Sequence, residues 1–179
     1  MAKASELVYQ LKIQLKGTTP PIWRRIQVPA DTILYHLHHY IQMAMGWDDG
    51  HPHEFVVDGV SYGEEMVMDD GRVKLGKLIK EEKVKFLYLY DFGDNWEHVV
   101  TVEKILPREA GASYPRCLAG KRACPPDDCG GVWGYAHFLE AIADKKHPDH
   151  KDMLEWCDGV FDPERFDVDE VNAMLAPNS

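Results

Sequence analysis

No stretch of the 179 residues approaches the roughly 20 consecutive apolar positions that a helix needs to cross a bilayer, so membrane-spanning functions are excluded. Basic charge is scarce. Twenty Lys and Arg stand against 30 Asp and Glu, a net charge of −10, which is the opposite of the cationic footprint that phosphate contacts require and argues against nucleic acid as a partner. Met1 to Glu6 contain no apolar core of a secretory signal, and this predicts a cytoplasmic protein. There is no internal repeat, no low-complexity linker and no glycine-rich phosphate loop. Only four cysteines occur, Cys117, Cys124, Cys129 and Cys157, and no two are spaced as a C-x-x-C knuckle. Asp91-Phe92-Gly93 lacks the strand lysine and catalytic loop that make such a tripeptide a kinase metal site.

What remains is ordinary globular composition, 45% hydrophobic and 28% charged, sufficient for one core in a single domain over residues 1–179. Leu7, Tyr9, Leu11, Ile13 and Leu15 alternate with Gln10, Lys12 and Gln14, the period of a half-buried strand, and Gly17 to Pro21 end it. A second strand runs from Trp23 to Val28. Asp31 is placed to cap a helix with Leu34, Leu37, Ile41, Ala44 and Met45 on one face, closed by Gly46. Asp58-Gly59 joins Glu54–Val57 to Val60–Tyr62 as a hairpin. Polar residues follow from Glu64 to Lys83, with one helical turn around Leu75 to Ile79. Val84 to Tyr90 then reads as a central strand, paired across Asp91 to Asn95 with a strand from Trp96 to Ile105. Helices are expected after Gly130-Gly131, after Pro148 and after Asp167, whose spacing from Glu170 suits a capping box. The sheet-rich part thus covers about residues 5–106, a Cys/Gly/Pro-rich loop about 107–131, and a helical part about 132–176.

Strands early and helices late predict an α+β fold, a mostly antiparallel sheet packed against the first helix and the C-terminal helices. Several motifs in order extend this reading over nearly the whole chain. They are Pro20-Pro21-Ile22-Trp23-Arg24-Arg25, His51-x-His53-Glu54-Phe55 after Gly46-Trp47, and Tyr90-Asp91-Phe92-Gly93-Asp94-x-Trp96-Glu97-His98. The loop Cys117-x-x-Gly120 to Cys129-Gly130-Gly131 follows, then Phe161-Asp162-Pro163 to Phe166 with Val171-Asn172. Together these resemble the plasmid pRiA4b Orf-three-like family, and the resemblance implies a roll-like α+β domain with no assigned activity. Some members carry the label transposon TnpR passenger protein, which implies an association with mobile elements. No serine nucleophile set among arginines accompanies it, so recombinase chemistry is not implied.

Two clusters could carry chemistry. Cys117, Cys124 and Cys129, with Cys157 or His137 as a fourth ligand, offer a thiolate and imidazole set suited to zinc. Redox pairing is an alternative, and buried free thiols are the default. The second cluster is polar: His51 and His53 fall on one side of an extended segment, while Asp91, Asp94 and His98 gather at the central hairpin. His51, His53, Asp94 and His98 could hold zinc or another divalent metal, with Asp91, Asp94 and His98 as catalytic candidates. Their default roles are turn hydrogen bonding and cross-strand packing, with Asp91 able to pair with Arg24 or Arg25. Asp127 and Asp128 sit where carboxylates cap the helix that follows, with metal ligation by Asp128 the alternative. His36, His38 and His39 read as solvated helix positions, and the five tryptophans as core and loop anchors. Two function classes follow. One is a module that binds a small molecule or a protein through Trp47, His51, His53, Tyr90 and Trp96; the other is a metal-dependent hydrolase.

Overall fold

A computed structural model describes residues 6–63 and 68–176. The strands are β1 (Leu7–Leu15), β2 (Trp23–Pro29), β3 (His53–Val57), β4 (Val60–Tyr62), β5 (Lys85–Tyr90), β6 (Trp96–Pro107) and β7 (Arg116–Lys121). The helices are α1 (Leu34–Met45), α2 (Leu75–Leu78), α3 (Gly131–Ala143), α4 (His150–Trp156) and α5 (Val168–Leu175). All seven strands form one sheet in the order β4-β3-β5-β6-β1-β2-β7, and every pairing is antiparallel. The α+β expectation is met. The four residues 64–67, where the polar stretch begins, lie outside the described residues.

Alternation fixes which face each strand buries. Tyr9, Leu11 and Ile13 of β1 stand in register with Val28, Ile26 and Arg24 of β2, and Phe86, Tyr88 and Tyr90 of β5 with Val100, His98 and Trp96 of β6. All of these are buried and form one side of the sheet, against which α1 lays Leu34, Leu37, Ile41 and Met45. The opposite side carries Gln10, Arg25 and Glu103, with Arg25 donating two hydrogen bonds to the Glu103 carboxylate at 2.6 and 2.8 Å. The structure therefore gives neither Arg24 nor Arg25 to Asp91. Arg24, buried on the core side, donates to the carbonyls of Ala44, Trp23 and Lys121 and lies over the Phe166 ring. It thus satisfies a carbonyl at the α1 C-terminus, where cationic groups are favoured.

Three local expectations are corrected. Asp31 does not cap α1, which starts at Leu34 without a side-chain cap; the Leu34 N–H instead reaches the Val73 carbonyl at 2.9 Å. Asp127 and Asp128 do not cap α3 either, because the Gly130 N–H donates to Asp94 at 3.1 Å. The cysteine-rich segment, read as a loop throughout, contains β7, the edge strand beside β2. On the outer side of β7 the Asn172 side chain accepts from the Cys117 N–H at 2.7 Å and donates to the Cys117 carbonyl at 2.9 Å.

Candidate metal site at the end of the sheet

At one end of the sheet the chain enters β3, leaves β5 and enters β6 at three adjacent positions, since His53 pairs with Tyr90 and Tyr90 with Trp96. Three connections therefore meet there: residues 47–52, residues 91–95, and residues 122–130 before α3. Polar contacts fasten them. Gln42 of α1 accepts from the Asp49 N–H, which sets its amide so that Nε2 faces the Tyr88 hydroxyl at 2.8 Å. Tyr90 accepts from the Gly50 N–H, the Trp47 indole donates to the Pro125 carbonyl at 3.0 Å, and the Asp91 N–H reaches Pro52.

These fastenings bring together His51, Asp91 and Asp128, whose ligand atoms all lie within 4.8 Å of one another. His51 Nε2 stands 3.8 Å from Asp91 Oδ2 and 3.4 Å from Asp128 Oδ1, beyond the length of a good N–H···O bond. Asp91 Oδ1 is occupied by the Gly93 N–H at 2.8 Å, leaving Oδ2 toward the imidazole. Asp127 adds a buried carboxylate oxygen, Oδ1, with no hydrogen-bond partner, and burial pushes its carboxyl pKa up.

Beneath this mouth lies a second polar system that sequence reasoning missed. The Tyr88 hydroxyl, already accepting from Gln42, donates to His38 Nδ1 at 2.8 Å, so His38 Nε2 carries the proton given to Asp49. Burial first, and His53 second, push the His38 pKa down to about 4. Its ring stacks on His53 at 3.5 Å, and His53 in turn bonds buried Asp70 at 2.7 Å. His39 also meets Asp49, so His38, His39 and Asp49 form a second donor group. In this group, however, the carboxylate and the imidazoles already bond one another, which holds the 47–52 connection in place. His38 was readable: positions 34, 37, 38 and 41 fall on one helix face, and that face is buried.

The remaining sequence candidates lie apart. His53 is committed to Asp70, and Asp94 holds the Gly130 N–H at the start of α3. His98 is fully buried: its Nδ1 meets the Tyr88 carbonyl at 3.3 Å, its Nε2 has no partner, and burial lowers its pKa to about 4. Tyr90 and Trp96 have no exposed surface and pack at a tilt against the Trp47 ring, with centroids 5.0 and 5.9 Å away, so they floor the mouth rather than line an open cavity. Among the described residues, no group of three metal-type donors contains a cysteine. All four are free. Burial raises the Cys117 pKa, takes Cys124 well above the ordinary thiol range and pushes Cys129 up to about 12. His137 pairs instead with Asp149, near His147, on an exposed surface. No helix among the described residues is long and apolar enough to cross a membrane.

Comparison with known proteins places the chain in a family. The chain is 41% identical over 157 residues to the uncharacterized protein y4hQ of Sinorhizobium fredii, covering 84% of this chain and 80% of that protein. It is 44% identical to the protein of unknown function MM3350 from Methanosarcina mazei Go1, whose crystal structure superposes with a TM-score of 0.86 over 92% of this chain and 97% of that one. A family model matches residues 7–170, and the chain belongs to the family of plasmid pRiA4b ORF-3-like proteins.

Proposed function

We propose that the protein is a binding module for a divalent transition-metal ion, held by His51 Nε2, Asp91 Oδ2 and Asp128 Oδ1. One observation carries the reading: three donors from three separate connections converge at separations of 3.4 and 3.8 Å where measured from His51. Atoms sharing an ion at about 2.1 Å stand roughly 3 to 3.5 Å apart, a range that the 3.4 Å separation meets and the 3.8 Å one exceeds by a few tenths, whereas groups bonded only to each other close to about 2.9 Å. One imidazole with two carboxylates suits zinc or manganese better than calcium. Three protein donors also leave coordination positions open, the minimum for activating water, and this favours hydrolysis as the second reading.

Titration calorimetry of the full chain with Zn²⁺ and Mn²⁺, repeated on Asp128→Asn, tests the proposal. Asp128 is 74% exposed, so its replacement should leave the thermal midpoint of the free chain unchanged. Binding at one ion per chain, weakened at least about tenfold in the variant, is the expected result. Affinities no better than about 0.1 mM, or equal affinities in the two proteins, would refute it.

A further inference from the structure

Beneath the proposed metal site a closed circuit of hydrogen bonds joins α1, β5 and the 47–52 connection. The Asp49 N–H donates to Gln42 Oε1 at 3.2 Å, and Gln42 Nε2 donates to the Tyr88 hydroxyl at 2.8 Å. The hydroxyl donates to His38 Nδ1 at 2.8 Å, and His38 Nε2–H returns to the Asp49 carboxylate. We propose that His38 is a positioning residue for the metal: through this circuit it holds the 47–52 connection so that His51 stands ready as a ligand before the ion arrives. The role rests on the metal-binding reading of His51, Asp91 and Asp128. Groups that orient ligands without touching the ion typically govern affinity by about ten- to a hundredfold.

The direction of every bond in the circuit is fixed. A backbone N–H can only donate, which turns Gln42 Oε1 toward Asp49 and its amide N–H toward Tyr88. A carboxylate can only accept, so His38 carries its proton at Nε2 and accepts at Nδ1, where the Tyr88 hydroxyl supplies the donor. Main chain and side chain of Asp49 are thus gripped together, at a residue whose φ of +58° lies in the left-handed region that residues other than glycine seldom adopt. His38, Gln42 and Tyr88 are all buried, and hydrogen bonds in series, shielded from water, strengthen one another. His53, stacked on the His38 ring at 3.5 Å and bonded to Asp70, stops the imidazole from turning out of the circuit. The Gly50 N–H on the Tyr90 hydroxyl and the Asp91 N–H on the Pro52 carbonyl flank His51 and tie it to the end of β5; the circuit adds the tie to the α1 side chains.

The test compares Zn²⁺ affinity, by calorimetry of the full chain near neutral pH, in wild type, His38→Leu and His38→Gln. The His38 imidazole is uncharged there, since burial first and His53 second lower its pKa to about 4, so neither substitution alters the charge around the ion. Glutamine can set an amide N–H where Nε2 stood, whereas leucine offers no donor. His38→Leu should weaken Zn²⁺ by about tenfold, and His38→Gln should hold it within about threefold of wild type. If His38→Leu fails to fold, Gln42→Met, which releases the Asp49 N–H from the same circuit, takes its place with the same expected loss. Imidazole nitrogen spectra of the metal-free wild type should show His38 as the Nε2–H tautomer; the opposite tautomer would break the circuit and overturn the proposal. An equal loss in His38→Leu and His38→Gln would make His38 a ligand in its own right and overturn it too. Wild type that binds Zn²⁺ no better than His38→Leu removes this role alone, whereas wild type that binds no Zn²⁺ removes the metal site and the role with it.

Discussion

Below pH 6.5 the unfolded chain takes up a proton at His98 that the folded chain refuses, and stability should fall accordingly. The imidazole has no exposed surface, its Nε2 faces no acceptor, and the Arg24 guanidinium adds a repulsive charge, so its folded pKa lies near 4 against 6.5 in the open chain. Because the folded value is depressed, the contribution is complete above pH 6.5 and is lost as the pH falls toward 4. At about 1.36 kcal/mol per unit of separation, some 2.5 kcal/mol is gone by about pH 4.5. His38 is depressed to a similar value, so wild type carries both losses, and a variant is needed to isolate one. His98→Leu keeps an apolar group of similar bulk and removes the partnerless nitrogen. Urea unfolding at about pH 7.5 and 4.5 should show the variant losing roughly 2.5 kcal/mol less than wild type between the two conditions. Equal losses in the two proteins would mean that His98 is protonated in the native state, and the reasoning would fail.

Two further outcomes separate structural from functional roles. Asp94→Ala removes the acceptor at the start of α3 and should lower stability by about 1 kcal/mol in a thermal melt, with Zn²⁺ affinity unchanged in the calorimeter. A loss of metal binding with an unchanged midpoint would instead make Asp94 a ligand. Thiol labelling with a disulfide reagent near neutral pH should proceed slowly at Cys124 and Cys129 in the native chain and promptly at all four cysteines in denaturant, since burial raises both thiol pKa values and keeps the groups protonated. Rapid native labelling of Cys124 would contradict that.

The sheet was legible because period-2 alternation in β1, β5 and β6 and the Asp-Gly turn at 58–59 are local signals. β7 was not, because Pro115, Gly120 and a register shift between Arg25 and Ile26 interrupt its pattern, and its pairing with β2 is a long-range choice. His51 and Asp91, on which the proposed metal site rests, could be nominated from their chemistry alone. Asp128 was assigned to capping, but α3 starts without a side-chain cap, and the Gly130 N–H instead reaches Asp94, 36 positions before Gly130 in the chain. His38 and Asp70 were overlooked for opposite reasons. The first was discounted among neighbouring histidines on α1, and the second sits in a polar stretch whose burial nothing local announces.

The paired hydrogen bonds from Asn172 to Cys117 give β7 a counterfeit neighbour: one side-chain amide supplies the donor and acceptor that another strand's backbone would bring. An antiparallel sheet of seven strands is open at two margins, each a template on which a foreign chain can continue the ladder. At the β7 margin that continuation would have to displace α5, whose Val171 and Leu175 are anchored in the core. The C-terminal helix thus acts as a stop for the sheet, and its removal would leave a sticky edge as well as a smaller core.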